Sequence, residues 1–186
     1  MSASRTALLV MDFQNGIVQR IADDSVVAAA ARAVEAARAA DIPVIFVRVA
    51  FRPGYPETAA SNLSFSALSQ AGDAFTQDNP ATQVVDALAP RADEPVAVKR
   101  RVSAFTGSDL EVLLRGAGAD SLVLTGLSTS GVVLSTIRQA ADLDYRLTVL
   151  SDACADNEPD VHRVLIEKVF PKQAQVMTAD EWVKSL

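Results

Sequence analysis

Histidine and cysteine are nearly absent: the 186 residues hold one of each, His162 and Cys154. One cysteine excludes an internal disulfide framework and a cysteine-rich zinc site. One histidine excludes a multi-histidine metal centre. No apolar run approaches the roughly 20 residues needed to cross a bilayer. Residues 1–6 carry no signal-peptide hydrophobic region. A cytoplasmic protein with no membrane partner is expected. Basic side chains are outnumbered, 17 against 23 acidic, so the net charge of −6 offers nothing to a phosphate backbone. The one basic cluster, Lys99-Arg100-Arg101, is too short for a groove-binding stripe, and no nucleic-acid partner is expected.

What is present is an ordinary globular composition, 49% apolar and 22% charged, in a chain long enough for one domain with a full core. Short apolar runs at 7–11, 44–49, 95–98, 121–125, 146–150 and 174–177 read as buried strands. Helical spacing marks 26–40, 110 to about 116, 132 to about 143, 159 to about 170, and 180–186. Ser108 with Glu111 reads as a capping box, and Thr178 as a cap. Residues 81–88 read as a short helix, and the turn-rich 51–80 as an ordered excursion over a pocket. Six strands alternating with helices predict one α/β domain over 1–186. Its layers are α/β/α and its sheet is doubly wound, mostly parallel, in the order 3-2-1-4-5-6.

Two charged residues stand at the ends of buried strands, Asp12 after the first and Lys99 after the third. The fourth strand runs into a small polar turn, 126–132, and then into a helix. That order resembles a nucleophile-bearing elbow. Strands one and four are neighbours at the switch point of such a sheet, so Asp12 and the turn face each other. A lysine beside an aspartate orients it, and the carboxyl can then serve as acid or base. Phe13, Gln14, Phe51, Phe65 and Phe105 are candidate pocket walls. Leu127, Ser128, Ser130 and Gly131 are the turn's candidate contacts. The N–H groups of Gly131 and Val132 could hold an anion. Arg52, Arg100, Arg101 and Arg138 are candidate partners for a substrate carboxylate. His162 is expected on a solvated helix face, and Cys154, just past strand five, as a packed small hydrophobe.

Along nearly its whole length the chain resembles the isochorismatase-like (cysteine hydrolase) superfamily. The matching pieces are Leu8-Leu-Val-Met-Asp-Phe-Gln14, Val44-Ile-Phe-Val-Arg48, Phe51-Arg-Pro-Gly54, Lys99 with Ser103-Ala-Phe105 and Leu110, Gly126-Leu-Ser-Thr129, Thr136, Asp144-Tyr145 and Asp152-Ala-Cys-Ala155. Their order and spacing carry the likeness. It implies a Rossmann-like three-layer fold, a homodimer or higher homo-oligomer, and an Asp-Lys-Cys triad. Asp12 and Lys99 match two members. A gapless match through Gly126 and Thr129 puts Val132 at the position of the cysteine. The resemblance also implies a cis peptide, here at Leu127–Ser128. Some relatives hold a metal with an Asp-x-His motif after the second strand. Residues 49–54 contain no histidine, so no metal and no cofactor are expected.

Valine attacks nothing, and three readings follow. The first is a hydrolase of a small, carboxylated or carbonyl-bearing metabolite. It would use Asp12 as general acid/base, with Lys99 adjusting its pKa and binding anionic substrate, for vinyl-ether or water-mediated amide hydrolysis. In the second, Ser128 or Ser130 serves as nucleophile, with no histidine near in sequence to activate it. The third is a catalytically silent member that binds a small ligand or acts as an oligomeric partner.

Overall fold

The computed structural model describes residues 5–88 and 90–186; the N-terminal residues 1–4 considered above lie outside them. Six parallel strands form one sheet in the order β3-β2-β1-β4-β5-β6. They are β1 (Thr6–Met11), β2 (Val44–Val49), β3 (Val96–Lys99), β4 (Ser121–Leu127), β5 (Arg146–Ala155) and β6 (Gln175–Met177). The helices are α1 (Asn15–Ile21), α2 (Asp24–Ala39), α3 (Leu63–Ser69), α4 (Leu110–Ala117), α5 (Leu134–Asp142), α6 (Pro159–Val164) and α7 (Ala179–Lys184). The predicted topology is the observed one.

Alternation along β1 shows why there are three layers. Leu9 and Met11 belong to a core shared with Leu114 of α4 and Ile137 and Ala140 of α5. Leu8 and Val10 belong to a second core, with Ala30, Ala33 and Val34 of α2 and Trp182 of α7. Successive strand residues face opposite sides, so a strand apolar at every position is one buried on both faces.

Several local expectations need correction. Helix α1 was not anticipated: its seven residues have no side-chain N-cap. The Ser108–Glu111 capping box does not form. The Ser108 hydroxyl donates to Ala104 O at 2.6 Å and accepts from Leu110 N at 3.2 Å, while Glu111 pairs with Arg115. The full box is at α7, where Thr178 and Glu181 cap each other's backbone N–H. Residues 80–88 form two 3₁₀ turns instead of a helix. Strand β5 runs five residues beyond Leu150, because an irregularity between Leu124 and Gly126 lets β4 and β5 resume pairing at Gly126–Cys154. The helix after Pro159 ends at Val164 and continues through a π turn and a 3₁₀ turn to Lys172.

The excursion after β2 is ordered, as its aromatic residues suggested. Phe51 packs on Tyr55 and Phe65 at ring separations of 5.5 and 5.7 Å. The Phe51 N–H donates to Phe75 O, and the Tyr55 hydroxyl to Gly72 O. This cluster carries α3 over the carboxyl ends of the strands. No described helix is long and apolar enough to cross a membrane.

Candidate active site

A cavity of about 230 Å³ lies at the carboxyl ends of β1, β3 and β4. Its floor is chemical. Asp12 follows β1 with a left-handed backbone (φ 59°), which ends the strand and which aspartate tolerates better than most residues. The side chain is buried, and Oδ2 accepts from Lys99 Nζ at 2.8 Å. Lys99 ends β3, two strands away, and its register with Val49 of β2 sets it level with the site. Lys99 Nζ also donates to Arg101 O at 3.2 Å and to Val102 O at 3.0 Å. All three ammonium hydrogens are therefore spent inside the protein, and Lys99 has none left for an anionic substrate. That corrects the expectation that it would bind one.

Asp12 Oδ1 is buried with no partner. A buried carboxyl oxygen without a partner is costly as an anion and much less so as O–H. Burial accordingly pushes the Asp12 pKa above the usual carboxylate range, and the Lys99 ammonium only partly opposes it. Burial thus favours the protonated carboxyl, and the Lys99 ammonium favours the charged one.

The turn after β4 forms the facing wall. The Leu127–Ser128 peptide is cis, at the anticipated bond. Thr129–Val133 is a π turn leading into α5, and the Ser128 hydroxyl caps it by accepting from Gly131 N at 3.2 Å. A side chain on Gly131 would meet that hydroxyl at 2.7 Å, so Ser128 would have to turn away and give up its bond to Gly131 N. Leu127, Ser128, Gly131 and Val132 line the cavity with Asp12, Lys99 and Phe65.

The other expected walls lie elsewhere. Phe13 is in the α2-side core, Phe51 is under α3, and Phe105 packs on Tyr145. Each is an apolar ring with a deeper place to go. Gln14 is buried and structural: its amide donates to Val49 O and Thr82 O and accepts from Val49 N, which holds α1 to β2. Ser130 points outward, and its N–H donates to Asp156. None of the four suspected arginines lines the cavity. Arg52 and Arg100 pair with Glu57, Arg101 sits over the Phe65 ring, and Arg138 bonds Gln173. Residues the sequence reading missed include Ile17, Arg20 and Ile21 of α1, Ser64 and Leu68 of α3, and Asn157 after β5.

His162 and Cys154 were both isolated residues in the sequence. Cys154 is buried, does not line the cavity, and has its thiol pKa pushed up to about 12 by burial. It is not a nucleophile at neutral pH. His162 is half-buried rather than solvated, and its Nδ1 hydrogen-bonds Thr129 Oγ1 at 2.8 Å, which ties α6 to the π turn. Thr129 is fully buried, so His162→Ala should orphan its hydroxyl at a cost of about 1–3 kcal/mol. The melting temperature should fall by several degrees; a melt within a degree of wild type would mean the bond contributes little.

A larger hollow, about 640 Å³, lies at the opposite ends of β4 to β6, beside Tyr145, Arg146 and Trp182. It holds no carboxyl–ammonium pair, whereas the smaller cavity holds Asp12 and Lys99. Among the described residues, no group of three or more His, Cys, Asp or Glu side chains could hold a metal ion.

Residues 6–181 match the isochorismatase domain. The uncharacterized isochorismatase family protein YecD of Escherichia coli O157:H7 is 32% identical over 190 residues, covering 100% of this chain and 98% of that one. The ureidoacrylate amidohydrolase RutB of Stutzerimonas stutzeri is 33% identical over 211 residues, covering 100% and 82%. A solved isochorismatase family protein from Burkholderia thailandensis superposes with a TM-score of 0.83 at 31% identity, over 97% of this chain and 96% of that one.

Proposed function

The chain belongs to the isochorismatase family, and from that premise we propose that it hydrolyses a small metabolite by acid catalysis, without a covalent enzyme intermediate. Asp12 is the acid, Lys99 positions it, and Val132 stands where the resemblance implies a cysteine. The observation that carries this reading is the Asp12 carboxyl itself. One oxygen is fixed by Lys99, the other is buried without a partner, the residue lines the cavity, and the pKa is raised.

A vinyl ether suits such a site best. Asp12 gives its proton to the terminal alkene carbon, and the electron pair of the double bond forms the new C–H bond. Water adds to the resulting oxocarbenium ion. The hemiketal then loses the alcohol, leaving a ketone, and Asp12 recovers a proton from the water. No step needs a nucleophilic side chain. Among the cavity-lining residues only Ser64 and Ser128 carry hydroxyls. No histidine lines the cavity, and the Ser128 oxygen is committed to the Gly131 N–H. A serine route therefore lacks its base.

The working form is protonated Asp12. Its pKa is raised, so turnover should be highest at low pH and fall as pH rises through that pKa. The measurement is kcat against pH on a panel of isochorismate, nicotinamide and an N-carbamoyl amine. A rate that climbs with pH would make Asp12 a base and point to water-mediated amide hydrolysis. The lack of a cysteine or histidine among the lining residues supports a second reading, a silent member that binds a ligand. Saturable binding with no turnover across the panel would favour it.

A further inference from the structure

We propose that Arg20 determines the specificity of this cavity by selecting small substrates that carry a carboxylate. The inference rests on the reading of the cavity as the substrate site. Three ionisable side chains line it: Asp12, Lys99 and Arg20. Asp12 and Lys99 are paired with each other, and the remaining Lys99 hydrogens are held by the carbonyls of Arg101 and Val102. Every Lys99 hydrogen is thus engaged inside the protein, and none is left to bond a second anion. Arg20 is the cation that remains. It forms no ion pair or side-chain hydrogen bond among the described residues. Asp23, three residues on, spends Oδ1 on the N–H and hydroxyl of Ser25.

The placement follows from helix geometry. Ile17, Arg20 and Ile21 recur at i, i+3 and i+4, so one face of α1 presents all three to the cavity. The isoleucines, with Phe65 and Leu68 of α3, form an apolar wall for the body of a substrate. Arg20 is exposed and reaches the same space from the last turn of α1. Its long stem covers apolar surface while its guanidinium stays in water at the rim. A planar fork of N–H donors fits a carboxylate two bonds at a time. Asn157, also exposed at the lining, adds an amide to that rim. At about 230 Å³ the space is below the range usual for drug-sized ligands, so the substrate is a small acid. The carboxylate is held at the rim, with the reacting bond inward at Asp12.

The test uses the full chain and a matched pair of probes, crotonate and crotonamide, titrated calorimetrically. Wild type should bind crotonate about tenfold or more tightly than crotonamide. The preference should shrink at high salt, because the cation is exposed. Arg20→Gln should abolish the preference and leave crotonamide binding unchanged; Arg20→Lys should keep part of it. Arg20 is exposed on the surface of α1, and unchanged thermal unfolding would certify both variants. Wild type with no acid preference, including binding of neither probe, would overturn the proposal, as would a preference that survives in Arg20→Gln. Asp12→Asn should still prefer crotonate, which separates this inference from the acid mechanism. If Asp12→Asn keeps its turnover while the preference follows Arg20, the chemistry falls and the specificity stands. The converse pattern removes only the specificity.

Discussion

Asp12→Asn should lower kcat by about a thousandfold, the middle of the range that a positioned general acid contributes, while leaving a folded protein. The substitution removes the proton donor and the ionisable partner of Lys99, but it keeps the side chain's shape and an acceptor for the ammonium. The amide oxygen it introduces can still accept from Lys99 at the position Oδ2 now holds, 2.8 Å from Nζ. The ammonium keeps its bonds to Arg101 O and Val102 O. Asp12→Ala is the informative contrast. It leaves the buried ammonium with neither a counter-charge nor an acceptor at that position, at a cost of about 3–5 kcal/mol. In a chain of this length each kcal/mol shifts the melt by about 2–4 °C, so Asp12→Ala should unfold well below Asp12→Asn. Measuring kcat and thermal unfolding for both variants separates chemistry from structure. If Asp12→Asn turned over within tenfold of wild type, Asp12 would not be the acid. A melt as low for the asparagine variant as for the alanine variant would mean that its activity loss reports unfolding.

The same pair shows what the sequence could and could not disclose. The strands were legible because parallel strands between helix layers are apolar at every position, and Leu8 to Met11 read that way. The placement of Asp12 and Lys99 followed from the strands alone, since a doubly wound sheet gathers the residues at its carboxyl edge. What escaped was whatever depends on a partner far along the chain. The bond between Thr129 and His162 spans 33 residues, and nothing local to either predicts it. The final residues of β5 resemble a loop in composition; they are strand because Gly126 offers them a pairing edge after the irregularity. The aromatic residues misled for a related reason. Phe13, Phe51 and Phe105 flank the site in sequence, but a ring beside a strand end can turn to either side, and packing against α2, α3 and Tyr145 decided it. Helix α1 is too short and too poorly capped to announce itself, so Arg20 stayed hidden with it.

Val132→Cys should convert an inert protein into one alkylated rapidly by iodoacetamide. Wild type has a single thiol, and burial pushes its pKa up to about 12. At pH 8 its thiolate fraction is about 10⁻⁴, against roughly a quarter for a thiol near the ordinary value of about 8.5. That alone is a factor of a thousand or more. Residue 132 is as buried as Cys154, each 2% exposed, so what separates the two positions is the cavity. Position 132 lines the cavity, lies in the π turn leading into α5, where the helix N-terminus favours a thiolate, and shares the space with Asp12 and Lys99. The swap removes little volume, so the fold should tolerate it. The second-order alkylation rate, with the modified residue located by mass spectrometry, reads the effect directly and requires no substrate. A rate no faster than wild type would mean that the 126–132 turn does not present residue 132 to the cavity, and the assignment of Val132 to the vacant nucleophile position would fall with it. A fast rate invites one more assay on the same variant. If Val132→Cys also gains amide hydrolysis on the panel, then Asp12, Lys99 and the turn are competent for thiol chemistry, and the single side chain at position 132 decides which reaction the site performs.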